Sequence, residues 1–529
     1  MLNLKKIYIR TVANLSLLHQ GFKPVFLPFY ILMLPFTYSG RRFLDAFFLD
    51  VFQRKWDTLY NLETLQEKKN KRFINTYKQK PRIKFIFLVY TDNDPEKLRI
   101  TLSSLEVLSY PYKKVIQYSE QPNPVYDPAH LYFDNYHSLQ KKIEEEKDAW
   151  VQLIYSGDRM LETSLALYNS WIVQRTEKIF YTDEILSKEK CIYALKKPSY
   201  IHFASNEMGI LGKSILLETS LFIVGNEYNS LQNWLLDCLK SIEKINHLPF
   251  QTYVNQSPAE PLNFIKNPLI ITPELQQPLI SVIIPTKNKK TLLQNCIESL
   301  LKHSNGFKIE IIIVDNGSTE TDFLEYIAKI TSSHPAIFSY RYDIVFNYSK
   351  LINYGASKTK GDYLLLINND VEIHNPQALA RLMQYAIKKE VGAVGCKLLY
   401  SDNRIQHAGI EFDYKKLPYH QYILLPDHFI STITDSDYAI KAITGALMLV
   451  SKQKFEEVKG YDEIFEADYN DILFCLSLEK TGYKNIYVAI DNVYHFESVS
   501  RGQADNSIKK YKKYLQDKEL FLQKTITHL

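Results

Sequence analysis

Cysteine is scarce in this 529-residue sequence. Cys191, Cys238, Cys296, Cys396 and Cys475 are scattered, odd in number and in no CxxC or zinc spacing. That excludes a disulfide scaffold and predicts a reducing compartment. Glycine is also thin, at 17 residues. The segment PTKNKK, which follows an apolar run at Ile280, has none, so a phosphate-cradling Gly-rich loop of the sugar nucleotidyltransferase kind is excluded there. Charge of one sign is lacking as well: 64 basic residues face 59 acidic ones, a net +5. Composition therefore predicts no nucleic-acid partner. Long hydrophobic runs are absent too. The most apolar stretch, Pro24–Tyr38, falls short of the roughly 20 residues a spanning helix needs, and Pro28 and Pro35 interrupt it. No small-residue cleavage site follows it. Two readings stay open for it: a structural arm packed on the first domain, or an interfacial anchor whose flanking Lys23, Arg41 and Arg42 face anionic lipid. What remains is ordinary globular material, 46% hydrophobic and 23% charged, long enough for roughly two to four domains.

Two stretches read alike. Lys84–Tyr90 (KFIFLVY) and Ile280–Pro285 (ISVIIP) are short apolar runs bounded by turn residues, the pattern of buried parallel strands. Helical spacing follows each, with Leu98, Leu102 and Leu105 in one and Leu293, Ile297 and Leu300 in the other. One constant offset carries Thr91 onto Thr286, Asn93 onto Asn288, Leu105 onto Leu300 and Glu120 onto Asp315. A second carries Asp158, ending WVQLIYSGD, onto Asp370, ending YLLLINND. The expectation is a tandem α/β repeat with mostly parallel sheets. Pro258, Pro261, Pro268, Pro273 and Pro278 mark a linker between the copies. From Asn506 a basic helix offers Tyr511, Tyr514, Leu515 and Phe521 to one face. The resulting division is an arm at 1–80, a first α/β domain at 81–255, the linker at 256–278, a second domain at 279–505 and the helix at 506–529.

Ligands of open α/β sheets bind beyond the carboxyl ends of the strands. The polar residues there are Thr286 and Asn288, Asp315, then Asn368, Asn369 and Asp370, with Thr444–Gly445, Asp471 and His495 farther on. The ordered series PTKN, VDNGS, FNYSKLINYGASKTKGDYLLLINND, CKLLYSDNRIQHAGI, TGALMLV, ND, GY and YHFESVSRG resembles the inverting, metal-dependent glycosyltransferases of family 2 over residues 279–505. More narrowly, it is similar to the bacterial branch that builds O-antigen, capsule and other surface polysaccharides. The resemblance implies GT-A-type folds in both copies. It further implies transfer of a hexosyl or deoxyhexosyl group from a nucleotide-sugar donor to a hydroxyl of a growing polysaccharide or lipid-linked glycan. Such an enzyme is expected in the cytoplasm, with peripheral contact at the inner face of the cell membrane as an open possibility for the arm.

The roles carried over by resemblance suit the chemistry. A nucleoside diphosphate leaving group needs its charge neutralised, and Asp370 with His495 would hold Mg²⁺ or Mn²⁺ for this. Asp315, Thr286, Asn288, Asn347, Asn353, Asn368 and Asn369 would line the nucleotide-sugar site, and Arg501 would reach the diphosphate. Thr444 and Gly445 would line the sugar and acceptor pocket. Asp471 would be the general base that an inverting attack by a hydroxyl requires. Two positions depart from the family pattern: Asn368 stands where an aspartate is frequent, and Leu473 where a second acid is usual. These departures keep open a non-catalytic tandem binding or scaffold protein. The first copy is expected to be catalytically silent, with Asn233 at the base position and Val254 near the histidine position, although Asp158 would survive.

Overall fold

The computed structural model describes residues 83–496 and 508–525, together with Asn70, Lys71 and Ile74. It leaves out 109, 122–123, 174–176, 189–190, 196–213, 223–227, 229, 232, 236–245, 256–277, 305, 413–415 and 428–433. The arm's apolar stretch, the proline-rich linker and Arg501 thus lie outside the described residues.

Each apolar run forms the central strand of its own sheet. In the first region β1 (Lys84–Tyr90), β2 (Lys113–Tyr118), β3 (Leu131–Phe133), β4 (Ala149–Tyr155), β5 (Arg159–Met160), β6 (Ile179–Lys188), β7 (Cys191–Leu195), β8 (Ile215–Glu218) and β9 (Asn246–Asn255) make one sheet. Its order is β3-β2-β1-β4-β8-β6-β9-β5, with β7 on β6. The second region has β10 (Leu279–Thr286), β11 (Lys308–Asp315), β12 (Ile337–Arg341), β13 (Tyr363–Ile367), β14 (Val371–Ile373), β15 (Val391–Cys396), β16 (Leu398–Leu399) and β17 (Ile405–His407). It continues with β18 (Ile410–Phe412), β19 (Pro418–His420), β20 (Tyr438–Ile440), β21 (Leu447–Ser451), β22 (Lys484–Val488) and β23 (Val493–His495). The main sheet runs β12-β11-β10-β13-β21-β15-β22-β20, a small sheet runs β14-β23-β16-β17, and β18 pairs with β19.

The two main sheets share topology. β1 is parallel to β2 and β4, as β10 is to β11 and β13, and an antiparallel strand follows in each, β8 or β21. Helices cover the faces: α1 (Pro95–Glu106) in the first region, then α2 (Lys290–Lys302), α3 (Tyr348–Ala356), α4 (Asn470–Lys480) and α5 (Ile508–Thr525). Asp94 caps α1 by accepting from the Glu96 and Lys97 amides, and Asn347 caps α3 by accepting from Lys350. Ile280, Val282 and Ile284 pack on the α2 side with Leu293, Ile297 and Leu300, while Ile283 faces the opposite side with Leu351 and Ile352 of α3. That alternation is what a strand buried on both faces requires.

Register revises the alignment of the halves at two places. With Phe85 equated to Ile280, the first pairs with Lys113 and the second with Ile309. Ser119, not Glu120, therefore occupies the place of Asp315. The correction is larger at the next strand. Thr101 Oγ1 donates to the Tyr155 carbonyl as Cys296 Sγ does to that of Asn368. Likewise the Met160 amide donates to Ser104 Oγ as that of Ile373 does to Ser299 Oγ. These bonds equate Tyr155 with Asn368 and place Gly157 where Asp370 stands. Asp158 matches Val371 and is fully buried, accepting from the Tyr253 hydroxyl at 2.9 Å. A slip of one residue sends a side chain to the other face of a strand. Val254 pairs with Arg159, the counterpart of Glu372, and so stands at the place of Tyr494, one short of His495.

Candidate active site

Asp370 lies in the turn between β13 and β14. Pairing of β14 with β23 puts Val371 opposite His495, and the Phe496 amide donates to the Asp370 carbonyl at 2.9 Å. This brackets the two side chains so that His495 Nε2 stands 3.1 Å from Asp370 Oδ1, both buried. Adjacent ligands around a six-coordinate cation with bonds of ~2.1 Å are about 3.0 Å apart, so the pair fits a hard divalent ion. Among the described residues no group of three or more His, Cys, Asp or Glu converges to cage a metal. Gln406, on β17, is bonded to the far side of the His495 ring at 2.6 Å.

Asp471 is the first acidic residue of α4, after Tyr469 in the left-handed region at φ 66°. One carboxylate oxygen accepts the Gly445 amide at 2.7 Å and the other accepts that of Ile472 at 2.8 Å. Burial raises its pKa above the ordinary carboxylate range. The Gly445 and Ile472 amides pull it back in part, and Asp468 adds to the rise. Gly445 has to be small: a Cβ there would lie 3.2 Å from the Tyr461 hydroxyl and 3.3 Å from Asp471 Cβ.

A chain of contacts joins the two carboxylates. Asn368 Nδ2 is 3.4 Å from His495 Nε2. The Tyr348 hydroxyl reaches Asn368 Oδ1 at 3.1 Å and the Gly445 carbonyl at 2.9 Å, and Gly445 bonds Asp471 through its amide. Asp370, His495, Asn368, Gly445 and Asp471 therefore share one site. Thr444 borders it: its amide approaches Nε2 of the buried His407 at 3.5 Å, and its hydroxyl accepts from the Ala446 amide.

The other predicted residues divide. Thr286 and Asp315 are register partners on β10 and β11, and Asn369 Nδ2 donates to Thr286 Oγ1 at 2.9 Å. Asp315 accepts from the amide and hydroxyl of Ser318 and pairs with Arg341 at 3.3 Å. Asn288, at φ 56°, accepts the Thr319 and Glu320 amides and ties the two loops together. Asn347 donates to the Glu463 carbonyl. Asn353 exchanges two bonds with the Tyr461 backbone and donates to Glu463 Oε1. Both asparagines thus clamp the loop that delivers Asp471. Sequence reasoning missed Tyr348, Arg341 and Gln406, although all three lie in or beside segments it had singled out. Only structure reveals the long-range partners of these side chains. Cys296, Cys396 and Cys475 are free and buried, and burial pushes the Cys396 thiol up to about 12. None is available as a thiolate nucleophile.

In the first region Gly157 supplies no carboxylate at the position of Asp370, and Ser119 is neutral where Asp315 is charged. Asn233 is exposed near the start of its helix, whereas Asp471 is drawn in against Gly445.

Residues 281–438 match the family described as Glycosyl transferase family 2. That match lies inside the second region and ends before Thr444, Asp471 and His495. An uncharacterized protein of Sinorhizobium fredii, y4gI, is 28% identical over 420 residues, 70% of this chain and 46% of that one. An O-antigen biosynthesis protein of Myxococcus xanthus, RfbC, is 32% identical over 227 residues, 42% of this chain and 18% of that one. A Campylobacter jejuni GalNAc(5)-diNAcBac-PP-undecaprenol beta-1,3-glucosyltransferase is 25% identical over 244 residues, 45% of this chain and 72% of that one. The chain spans less than half the length of the first two relatives. Among the described residues no helix is long and apolar enough to cross a membrane.

Proposed function

We propose that the second region is a family 2 glycosyltransferase that transfers a sugar from a nucleotide-sugar donor to a glycan hydroxyl, with inversion and with a divalent cation. The acceptor is a growing surface polysaccharide or a lipid-linked oligosaccharide. The observation that carries this reading is the connected path from the Asp370–His495 pair through Asn368, Tyr348 and Gly445 to Asp471. This continuity supports reading Asp370 and His495 as metal ligands and Asp471 as the base of the same site. The kinship to an O-antigen biosynthesis protein and to an undecaprenol-linked glycan glucosyltransferase supports the acceptor class.

Each part has a distinct task. Asp315, held by Ser318 and Arg341, presents a fixed carboxylate to the donor's nucleoside hydroxyls or base. Asp370 and His495 would hold Mg²⁺ or Mn²⁺, which when bound neutralises charge on the departing diphosphate. Asp471 takes the proton from the acceptor hydroxyl as its oxygen attacks the anomeric carbon. Its raised pKa brings it nearer the working pH, which favours general-base efficiency. A single base and no covalent enzyme intermediate give inversion. The first region serves as a non-catalytic companion. The deciding experiment offers the full chain a panel of nucleotide-sugars with Mn²⁺ or Mg²⁺, follows nucleoside diphosphate release, and reads the product's anomeric configuration by NMR. Absence of turnover with every donor, or retention of configuration, would overturn the proposal.

A further inference from the structure

We infer that Gln406 is a positioning residue that fixes the tautomer of His495, so that Nε2 faces Asp370 with its lone pair. The inference rests on the metal-dependent reading of the same site and deepens it.

Gln406 is buried on β17 and touches His495 twice. Its side-chain nitrogen bonds the His495 main-chain carbonyl at 3.2 Å, and its side-chain oxygen bonds ring Nδ1 at 2.6 Å. The first contact settles the orientation of the amide, because a main-chain carbonyl accepts and never donates. The NH₂ group must face it, which turns Oε1 toward the ring. Oε1 in turn only accepts, so Nδ1 carries a hydrogen. In the neutral ring Nε2 is then the unprotonated nitrogen, and it is the one 3.1 Å from Asp370 Oδ1. Two acceptors at that separation repel unless a positive charge lies between them. A proton on Nε2 or a metal ion meets that need, and the fixed hydrogen on Nδ1 leaves Nε2 as the nitrogen that takes either one. Metal-binding histidines generally have the other ring nitrogen held this way, and loss of such a partner weakens metal affinity about 10–100-fold.

The strand that carries Gln406 supports a second part of the site with its next residue. His407 points the other way, and its Nε2 accepts the Gly409 amide at 3.3 Å and lies 3.5 Å from that of Thr444. β17 thus serves the metal ligand with one side chain and the Thr444–Gly445 turn with its neighbour.

The test uses the full chain and two readouts. In metal-free wild-type protein, ¹⁵N shifts of the His495 ring should report hydrogen on Nδ1. A ring carrying its only hydrogen on Nε2 overturns the inference. Mn²⁺ binding in the presence of UDP, and separately GDP, is then measured from the EPR signal of free Mn²⁺. Gln406→Met, which keeps the volume and removes both bonds, should weaken Mn²⁺ binding 10–100-fold. Gln406→Glu, which loses the bond to the His495 carbonyl but still accepts from Nδ1, should weaken Mn²⁺ binding less than Gln406→Met and stay within about threefold of wild type. Equal weakening in both variants, or none in Gln406→Met, refutes the assignment. Should Gln406→Met fail to fold, the ring shifts and the glutamate variant still decide it. If wild-type protein shows the Nδ1–H form but no Mn²⁺ binding with either nucleotide, the metal reading fails while the role of Gln406 in setting the tautomer stands.

Discussion

Replacing Asp471 by asparagine tests the chemistry with little change of shape. The carboxylate accepts two amides, Gly445 at 2.7 Å and Ile472 at 2.8 Å. An asparagine side chain keeps one acceptor and turns an NH₂ toward the other amide, so one bond is lost and two donors face each other. That costs about 1–3 kcal/mol. A compensation works the other way. Burial already disfavours the charge, as the raised pKa shows, and a neutral side chain escapes that penalty. Stability should therefore move by no more than about 2 kcal/mol, a balance of one lost bond against one relieved charge. Turnover should fall far more, because a positioned general base contributes about 10²–10⁴-fold. The assay is acceptor-dependent release of nucleoside diphosphate, run beside equilibrium dialysis of the nucleotide with Mn²⁺. Loss of kcat with nucleotide binding intact is the expected outcome. A kcat within tenfold of wild type removes Asp471 from the role of base. Loss of nucleotide binding along with turnover would show that the residue acts on the donor instead.

Four further outcomes are expected. A carboxylate with a raised pKa is in its basic form above that pKa and loses it as pH falls through it. The acid limb of kcat/KM should therefore lie above the ordinary carboxylate range, and the Asp471→Asn variant should lack that limb. Gly445→Ala places a methyl 3.2 Å from the Tyr461 hydroxyl and 3.3 Å from Asp471 Cβ; steady-state kinetics should show at least a roughly tenfold fall in kcat. Asn353→Ala removes three bonds to the Tyr461–Glu463 loop and should cost about 2–3 kcal/mol in urea unfolding. Tyr253→Phe removes the hydroxyl that serves buried Asp158; it should lower stability by about 1–3 kcal/mol and leave kcat unchanged.

Strand runs and helical spacings made both α/β regions legible, because apolar periodicity is a local property. The motif order also brought Asp370, His495 and Asp471 to notice, and the path through Tyr348 links them in space. Three things were hidden. The pairing of Gln406 with His495, or of Arg341 with Asp315, joins residues far apart in sequence whose types carry no periodic signal. The clamps made by Asn347 and Asn353 look from sequence like ligand contacts, since asparagine serves both uses. The equation of Asp158 with Asp370 erred because two carboxylates near the ends of similar strands invite alignment by type. The bond that Thr101 donates to the Tyr155 carbonyl and the one that Ser104 accepts from the Met160 amide set the true register one residue away.

The silence expected of the first region would be, at Gly157, a matter of backbone as well as side chain. Its φ of +96° is one that L-residues rarely adopt, and the stem of Lys97 lies 3.3 Å from where a β-carbon would project. Installing aspartate there would strain the turn before any ion could be gathered, and Asn255 stands on β9 at the register position of His495. Anyone seeking a two-headed transferase from this scaffold would have to recast the whole bend after β4.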